Sequence, residues 1–265
     1  MKEFKITKND AGQRMDKFIT KAVPKLPKAL LYKYIRIKRI KLNGKRCEIS
    51  SRLCEGDIIE CYVSDEFFEA ENKRPEFMLA PSAIDVVYED ENILLINKPA
   101  GLLVHEGNDW CADTLIARIQ HYLYKKKEYD PAAENSFVPA LCNRIDRNTC
   151  GIVIAAKNAA TLRVLNDKIK ERELEKKYLC VVKGTPKRKS GVLEHFILKS
   201  EKTNTVEALA APAPGAKTAK TKYTVLASHD GMSLVEAELL TGRTHQIRAQ
   251  FSSRNMPLAG DRKYS

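Results

Sequence analysis

Apolar residues near the N-terminus recur at intervals of three and four positions, the spacing of one face of a helix. Between residues 15 and 23 this spacing predicts an amphipathic helix. Asn9 or Asp10 is positioned to start the helix, and Pro24, which lacks a backbone N–H, is positioned to end it. KALLYKYIR, which follows Pro27, predicts a second short helix.

The pattern then changes to the alternation of polar and apolar residues that is typical of strands. RIKLNGKRCEI predicts two strands joined by the tight turn Asn43-Gly44, because Asn and Gly tolerate the positive φ angles of two-residue hairpins. DIIECYV predicts a further strand. These elements are expected to form a small module.

The longer remainder of the chain predicts strands joined mainly by hairpins. IDVVYEDENILLINKPAG reads as strand, acidic turn and strand, and three more strands are predicted by GVLEHFIL, KYTVLAS and SLVEAELL. A helix is expected from Asn158 to about Glu175, and EALAAPAPGAKTAKTK is expected to be an exposed, mobile loop. The pattern favours an α+β fold with a mixed, mainly antiparallel sheet over a doubly wound parallel sheet.

The charge of the chain indicates the kind of partner that it binds. Lys and Arg number 46 against 34 Asp and Glu, a formal net charge of +12, which favours a polyanion such as nucleic acid. One stretch without any acidic residue carries eight basic ones on the second helix and the hairpin: Lys28, Lys33, Arg36, Lys38, Arg39, Lys41, Lys45 and Arg46. Such a cluster neutralises phosphates, although a merely solvated face is the alternative.

Composition and motifs exclude several other classes. The seven cysteines include no C-x-x-C pair, so neither a disulfide framework nor a zinc site is expected. No nucleotide-hydrolysis, dinucleotide or zinc-protease motif occurs. The N-terminus lacks the apolar core of a signal peptide, and no apolar run is long enough to span a bilayer, so a cytoplasmic protein without membrane contact is expected.

Candidate chemistry lies in three polar segments. FVPALCNRIDRNTCG places Asp146 in a bend between apolar stretches, where spacing alone favours capping a turn or pairing with Arg144 or Arg147. Tyr178 lies near the start of the strand-like KKYLCVVKG, where an ordinary role in the core is the alternative. TGRTHQIRAQF presents Arg243 after a strand and before a helical segment. The residue types alone leave structural and catalytic roles open.

Two stretches resemble known families. Residues 12–63, with their R-x-D-K-F helix, basic second helix, LNGK turn and G-D-x-I strand, resemble the αL-type S4 RNA-binding domain. NKPAGLLVH, RIDRNTCG, KKYLCVVKG and TGRTHQIR resemble, in order and spacing, the RluA family of RNA pseudouridine synthases over nearly all of residues 84–265. Residues 64–83, which begin with SDEFFEAENKRPEFMLAPS, are then predicted to be a flexible interdomain linker. Such a linker raises the effective concentration of the catalytic domain at an RNA that the small module holds.

The resemblance implies roles for individual residues. Asp146 matches the catalytic aspartate, Tyr178 the tyrosine that packs against the target base, and Arg243 the arginine that pairs with the carboxylate, an opposite charge that favours the ionised form. Substrate binding is assigned to Arg144 and Lys176, together with Lys28, Lys33, Arg36, Lys38, Arg39, Lys41 and Lys45 of the small module. The isomerisation needs no cofactor, and the carboxylate acts as a nucleophile or as a base.

The same resemblance favours large-subunit ribosomal RNA as substrate, with transfer RNA as the closest alternative and a monomer as the expected form. A non-catalytic ribosomal RNA assembly factor and a generic basic binding protein are the rival functions. Asn143 and Cys150 depart from the family's usual His and Ser, and Cys150 is expected to be a small buried thiol. The chain stops at GDRKYS, where family members usually continue, so the catalytic domain is expected to lack an edge.

Overall fold

In the computed structural model, which describes residues 1–68, 75–107, 110–200 and 205–265, the N-terminal segment forms the two helices and the hairpin that its spacing predicts. Its elements are β1 (Lys2–Lys5), α1 (Met15–Ala22), α2 (Lys28–Arg36), β2 (Ile40–Leu42), β3 (Lys45–Arg46) and β4 (Ile58–Cys61). The strands form an antiparallel sheet in the order β1-β4-β2-β3. Asn43 and Gly44 turn the hairpin with φ angles of 51° and 73°.

The N-terminal segment has a hydrophobic core of its own. Phe18 and Ile19 of α1 pack with Leu31 and Ile35 of α2 and with Ile59 of β4 in one buried cluster. The start of α1 differs from the prediction, since Arg14 occupies the N-cap position and no side chain caps the helix. Asn9 and Asp10, the predicted caps, form other hydrogen bonds, which are described below.

A second antiparallel sheet follows in the order β5-β6-β8-β7. The elements of this part are β5 (Val86–Glu89), β6 (Ile93–Lys98), α3 (Leu115–Lys125), β7 (Ala140–Leu141), β8 (Gly151–Ala156) and α4 (Ala159–Lys170). The predicted acidic turn between β5 and β6 is confirmed, because the Asp90 carboxylate accepts hydrogen bonds from the backbone N–H groups of Asn92 and Ile93. Leu115, Ile119 and Leu123 of α3 pack against this sheet.

The helix α4 begins as predicted and ends earlier. The Asn158 side chain accepts a hydrogen bond from the Thr161 N–H at 2.9 Å and so caps the first turn. The helix was expected to reach about Glu175, but it ends at Lys170, because Arg172 adopts a left-handed conformation with φ 64° that a right-handed helix cannot continue. Within the described ranges no helix is both long and apolar enough to cross a membrane.

The C-terminal part forms an antiparallel sheet in the order β11-β10-β12-β13-β9. Its elements are β9 (Lys177–Lys183), β10 (Ser190–Ser200), β11 (Thr205–Leu209), β12 (Lys217–His229), β13 (Met232–Leu239) and α5 (Gln246–Ser252). The sheets confirm the predicted mixed fold with mainly antiparallel pairing.

The mobile loop predicted for residues 207–222 is largely wrong. β11 and β12 occupy most of this segment, and only residues 210–216 lie between them. Ala219, Thr221 and Tyr223 alternate as buried positions of β12, so the strand has a period of two. Small residues, lysines and only two β-branched residues, Thr218 and Thr221, form the start of β12, and the proline-containing stretch before it indicated a loop.

The chain divides into two compact units, Met1–Asp167 and Lys168–Ser265. The predicted linker at 64–83 includes residues 69–74, which lie outside the described residues, and it contains short 3₁₀ turns at Asp65–Phe67 and Glu76–Leu79. The predicted boundaries of the S4-like module and the catalytic domain stay predictions. The N-terminal segment and the sheet β5-β6-β8-β7 belong to the same unit.

Side-chain hydrogen bonds join these two parts of the first unit. The fully buried Asp10 carboxylate accepts hydrogen bonds from the Asn135 amide at 2.8 Å and from the Ser136 hydroxyl at 2.6 Å. The Asn9 amide donates to the Glu134 carboxylate at 2.8 Å. These bonds join groups more than 100 residues apart and fix the N-terminal segment to the loop before β7. A flexible linker alone does not predict such contacts.

Glu134→Gln is expected to stabilise the protein at pH 7. Partial burial of Glu134 raises the pKa of its carboxyl group above 4.5, and the negative charge of Asp10 raises it further. When the pKa of an acid is higher in the folded state than in the unfolded state, the protein loses stability as pH rises above the pKa of the unfolded state. The variant should gain less than about 1 kcal/mol, because Glu134 is partly exposed and solvent screens its charge.

Urea unfolding at pH 4.5 and pH 7 would measure this difference. The two proteins should have nearly equal free energies of unfolding at the lower pH, with the advantage of the variant growing as pH rises. Glu66→Gln, at an exposed position of the same unit, is the matched control. A Glu134→Gln protein that is less stable than wild type at pH 7 would show that the ionised form strengthens the contact with Asn9.

Candidate active site

Asp146 lies in the polar turn between β7 and β8, as its sequence context predicted. The Asp146 carbonyl oxygen accepts a hydrogen bond from the Thr149 N–H at 3.1 Å, which closes the turn. The Asn143 side-chain oxygen accepts a hydrogen bond from the Ile154 N–H at 2.8 Å and ties the segment to β8. Asn143, one of the departures from the family pattern, therefore holds the edge of the turn that contains Asp146.

A buried lysine holds this turn in place through a hydrogen bond to its backbone. Lys98, the last residue of β6, is fully buried, and its ammonium group donates hydrogen bonds to the carbonyl oxygens of Pro99, Leu102 and Arg147 at 2.8, 2.8 and 2.9 Å. Burial lowers the pKa of Lys98, and the charges of Cys150 and Asp146 act in the opposite direction. One ammonium group thus joins the loop after β6 to the turn that contains Asp146.

Backbone contacts reinforce the same junction. The Gly101 N–H donates to the Arg147 carbonyl oxygen at 2.9 Å, and the Arg147 Nε–H donates back to the Gly101 carbonyl oxygen at 2.9 Å. Gly101 adopts φ 88°, a conformation that disfavours residues with a Cβ. Arg147, weighed from the sequence as an ion-pair partner of Asp146, uses its Nε–H to hold the loop 99–102.

Cationic and ionisable groups surround the turn. Arg144 is exposed. Burial lowers the pKa of His105, and the positive charge of Arg144 lowers it further, which is consistent with the neutral imidazole at pH 7. Cys150 is exposed, so the expectation of a buried thiol is wrong, because the residue lies on the turn just before β8 begins at Gly151. Arg144 therefore presents its charge to solvent two residues from Asp146.

The second unit brings together the other predicted residues. Tyr178 lies at the start of β9 and is paired with Ala237 near the end of β13, and the Leu239 N–H donates to the Lys176 carbonyl oxygen at 2.8 Å. The loop that contains Arg243 follows directly after β13. Antiparallel pairing therefore gathers Lys176, Tyr178 and the Arg243 loop at one end of the sheet, with Tyr178 half-buried.

Two glutamines of α5, which the sequence did not single out, organise this end of the sheet. Buried Gln246 accepts hydrogen bonds from the Thr241 hydroxyl at 2.8 Å and the Arg243 N–H at 3.0 Å, and it donates to the Thr221 hydroxyl at 2.8 Å. Buried Gln250 accepts a hydrogen bond from the same Thr221 hydroxyl at 2.6 Å. The spacing of four residues, which places both on one helix face, is the signal that could have found them.

The Arg243 side chain is exposed, and its Nε–H donates to the Thr218 carbonyl oxygen at 3.0 Å. Arg248, by contrast, has a structural partner, since its guanidinium group forms a two-point ion pair with Asp261 at 2.7 and 2.9 Å. That interaction, with burial opposing it, lowers the pKa of Asp261. The final segment of the chain is thereby fixed to α5.

The predicted sites thus fall in both units. Asp146 and Arg144 lie in the first unit, where Lys98 supports their turn, and Lys176, Tyr178 and Arg243 lie in the second. The pairing of Asp146 with Arg243 stays a prediction. The basic residues of the N-terminal segment lie on α2, on the connection after it and on the hairpin, as expected. Among them, Arg39 lies over the Tyr34 ring and Lys41 over the Tyr62 ring.

Comparison with known proteins identifies the family. The family model described as RNA pseudouridylate synthase matches residues 92–253, a range that includes Asp146, Tyr178 and Arg243. An uncharacterised RNA pseudouridine synthase of Mycoplasma capricolum is 32% identical over 269 residues, covering 100% of this chain and 85% of the relative. The ribosomal large subunit pseudouridine synthase C of Vibrio cholerae is 31% identical over 263 residues, covering 98% and 79%.

A solved structure agrees with these sequence matches. Human RNA pseudouridylate synthase domain containing 4 superposes with a TM-score of 0.56 at 26% identity, covering 68% of this chain and 69% of the human chain. The fold, the matched segment and the relatives therefore agree with the motifs in the sequence. The chain belongs to the RNA pseudouridylate synthase family and, with relatives named ribosomal large subunit pseudouridine synthase C, to its RluA branch.

Proposed function

We propose that this enzyme isomerises specific uridines of large-subunit ribosomal RNA and that Asp146 is its catalytic carboxylate. The observation that carries the proposal is the support of the Asp146 turn, where buried Lys98 donates to the Arg147 carbonyl oxygen at 2.9 Å. A carboxylate that reacts at one sugar carbon must be held within a fraction of an ångström of its working position. Three relatives named ribosomal large subunit pseudouridine synthase C, each aligned over 98% of this chain, support the ribosomal substrate.

The proposed chemistry uses side chains alone. The bond between N1 of uracil and C1′ of ribose breaks, the uracil rotates, and C5 bonds to C1′ while the C5 proton leaves to solvent and N1 gains a proton. Asp146 attacks the sugar as a nucleophile or removes a sugar proton as a base, and either route uses the ionised carboxylate. Arg243 is proposed to pair with this carboxylate and so to favour the charged form.

Reaching these atoms requires the target nucleotide to leave the RNA stack, at a cost of a few kcal/mol. Tyr178 is proposed to recover part of this cost by stacking on the uracil, and Arg144 and Lys176 to bind the adjacent phosphates. Arg144 is exposed beside the Asp146 turn, as this role requires. We further propose that the enzyme acts in the cytoplasm as a monomer.

The basic residues of the N-terminal segment are proposed to hold the RNA. Lys33 and Arg36 lie on exposed positions of α2, and Lys45 lies on an exposed position of β3. Such contacts bind phosphates without reading sequence and weaken as salt rises. The hydrogen bonds of Asp10 with Asn135 and Ser136 fix this surface to the part of the unit that contains Asp146.

Release of tritium from RNA labelled at uridine C5 tests the proposal, because each isomerisation frees the C5 hydrogen. Transcripts of large-subunit ribosomal RNA and of transfer RNA would be compared at equal concentration. Release from ribosomal RNA is the expected result. Release from transfer RNA alone would contradict the assignment of ribosomal RNA as the substrate. Binding of both RNAs without release from either would favour a non-catalytic assembly factor.

A further inference from the structure

We propose that a groove on the N-terminal segment binds one unpaired nucleotide of the RNA, an inference that rests on the proposed function and names how that RNA is held. The groove lies between α2 and the chain after β3, and its volume is about 330 Å³. This volume is at the small end of ligand-binding clefts, about 300–1,000 Å³. It is large enough for part of a nucleotide and too small for a duplex.

One face of α2 forms the first wall. Ala29, Tyr32, Lys33 and Arg36 line the groove, and their spacing of three and four residues places them on the same side of the helix. The Tyr32 side chain is 41% exposed, so its ring is accessible to a ligand. A tyrosine ring in this setting offers a stacking surface that accepts any base.

The floor and the second wall of the groove provide apolar and cationic groups that fit a nucleotide. Ile35 and Cys47 are buried and form an apolar floor, and Arg46, Glu48 and Ile49 form the facing wall. Lys33, Arg36 and Arg46 at the rim outnumber the one acidic residue, Glu48. An apolar floor with an aromatic wall fits a base, and a cationic rim fits the phosphates on either side of it.

The bound nucleotide must be unpaired. In an A-form RNA helix the bases are stacked inside the duplex, and a shallow groove on a protein reaches only their edges and the backbone. A splayed base in a loop or bulge exposes its face and can enter between Tyr32 and the floor. The basic residues around the groove bind duplex and single strand alike, whereas the groove itself favours single strands.

Fluorescence anisotropy with two labelled probes, a 12-nucleotide oligouridylate and a blunt 12-base-pair RNA duplex, tests this inference. Tyr32→Leu is expected to weaken binding of the oligouridylate about tenfold, because the stacking surface is lost. Tyr32→Phe, which keeps the ring, should bind like wild type. Tyr124→Leu, at a helical tyrosine that is 38% exposed, is the matched control and should change neither probe.

The duplex probe separates a stacking site from a general effect. Duplex binding should be the same for all four proteins, and thermal unfolding of Tyr32→Leu should match that of wild type. Failure of the wild type to bind the oligouridylate, equal loss with both probes, or loss as large in Tyr32→Phe would each overturn the inference.

Tritium release distinguishes this inference from the proposed function. If wild type releases tritium from ribosomal RNA but binding does not depend on Tyr32, only the groove assignment fails. If Tyr32 governs oligouridylate binding but no RNA yields tritium, the groove stands and the proposed isomerisation fails. With both intact, Tyr32→Leu should raise KM about tenfold for ribosomal RNA and leave kcat unchanged, since the groove binds substrate away from the reacting atoms.

Discussion

Asp146→Asn is expected to abolish tritium release from uridine-labelled ribosomal RNA, with a loss of at least about 1,000-fold in kcat. The amide has the shape of the carboxylate, but it can neither attack C1′ nor accept a sugar proton. The fold around it should persist, because the turn is held by the Lys98 ammonium and by hydrogen bonds between Gly101 and Arg147. The measurement is single-turnover release with enzyme in excess over RNA.

The controls for this prediction separate chemistry from folding and binding. Asp167→Asn, at an exposed position of α4, removes the same charge elsewhere in the unit and should keep full activity. RNA affinity of Asp146→Asn should stay within about twofold of wild type, because positioning contacts are made mainly to phosphates. Release at more than a tenth of the wild-type rate would show that Asp146 is not the reacting carboxylate.

The sequence predicted most elements of the fold because local spacing determines them. The hairpin at Asn43-Gly44, the helix α2 and the strands β5 and β6 follow directly from residue patterns. β11 and the start of β12 escaped prediction because the Ala- and Pro-rich stretch between them indicated a loop, and both strands pair with β10. The contacts of Asp10 with Asn135 and Ser136 join distant parts of the chain, and no local pattern encodes them.

The candidate site was predicted less evenly. Spacing alone favoured a structural role for Asp146, and only the ordered set of motifs pointed to catalysis. The motif NKPAG contains Lys98, yet nothing in its local pattern indicates that the ammonium bonds to Arg147, 49 residues away. Gln246 was likewise overlooked, since a helical glutamine usually faces solvent and this one is buried against Thr221. Local spacing can place Gln246 and Gln250 on one face of a helix, but it does not specify the tertiary contacts through which such residues support a site.

Lys98→Met should destabilise the protein by about 3 kcal/mol and reduce activity at least about tenfold. Methionine fills a similar volume but donates no hydrogen bond, so the carbonyl oxygens of Leu102 and Arg147 lose the donor that holds them. A buried acceptor without its donor costs free energy, and the loop after β6 can then move relative to the Asp146 turn. Urea unfolding followed by circular dichroism measures the first effect and tritium release the second.

The matched control for Lys98→Met is Lys125→Met at the end of α3, an exposed lysine whose one described bond is to the Ser82 hydroxyl at 2.8 Å. Surface changes of this kind alter stability by less than about 0.5 kcal/mol. Activity should be assayed well below the unfolding transition of the weaker variant, so that lost activity reports the geometry of the site and not the unfolded fraction. If Lys98→Met matched the control in stability and in kcat, the Asp146 turn would hold its position without the lysine, and the Gly101 and Arg147 bonds alone would be sufficient to support it.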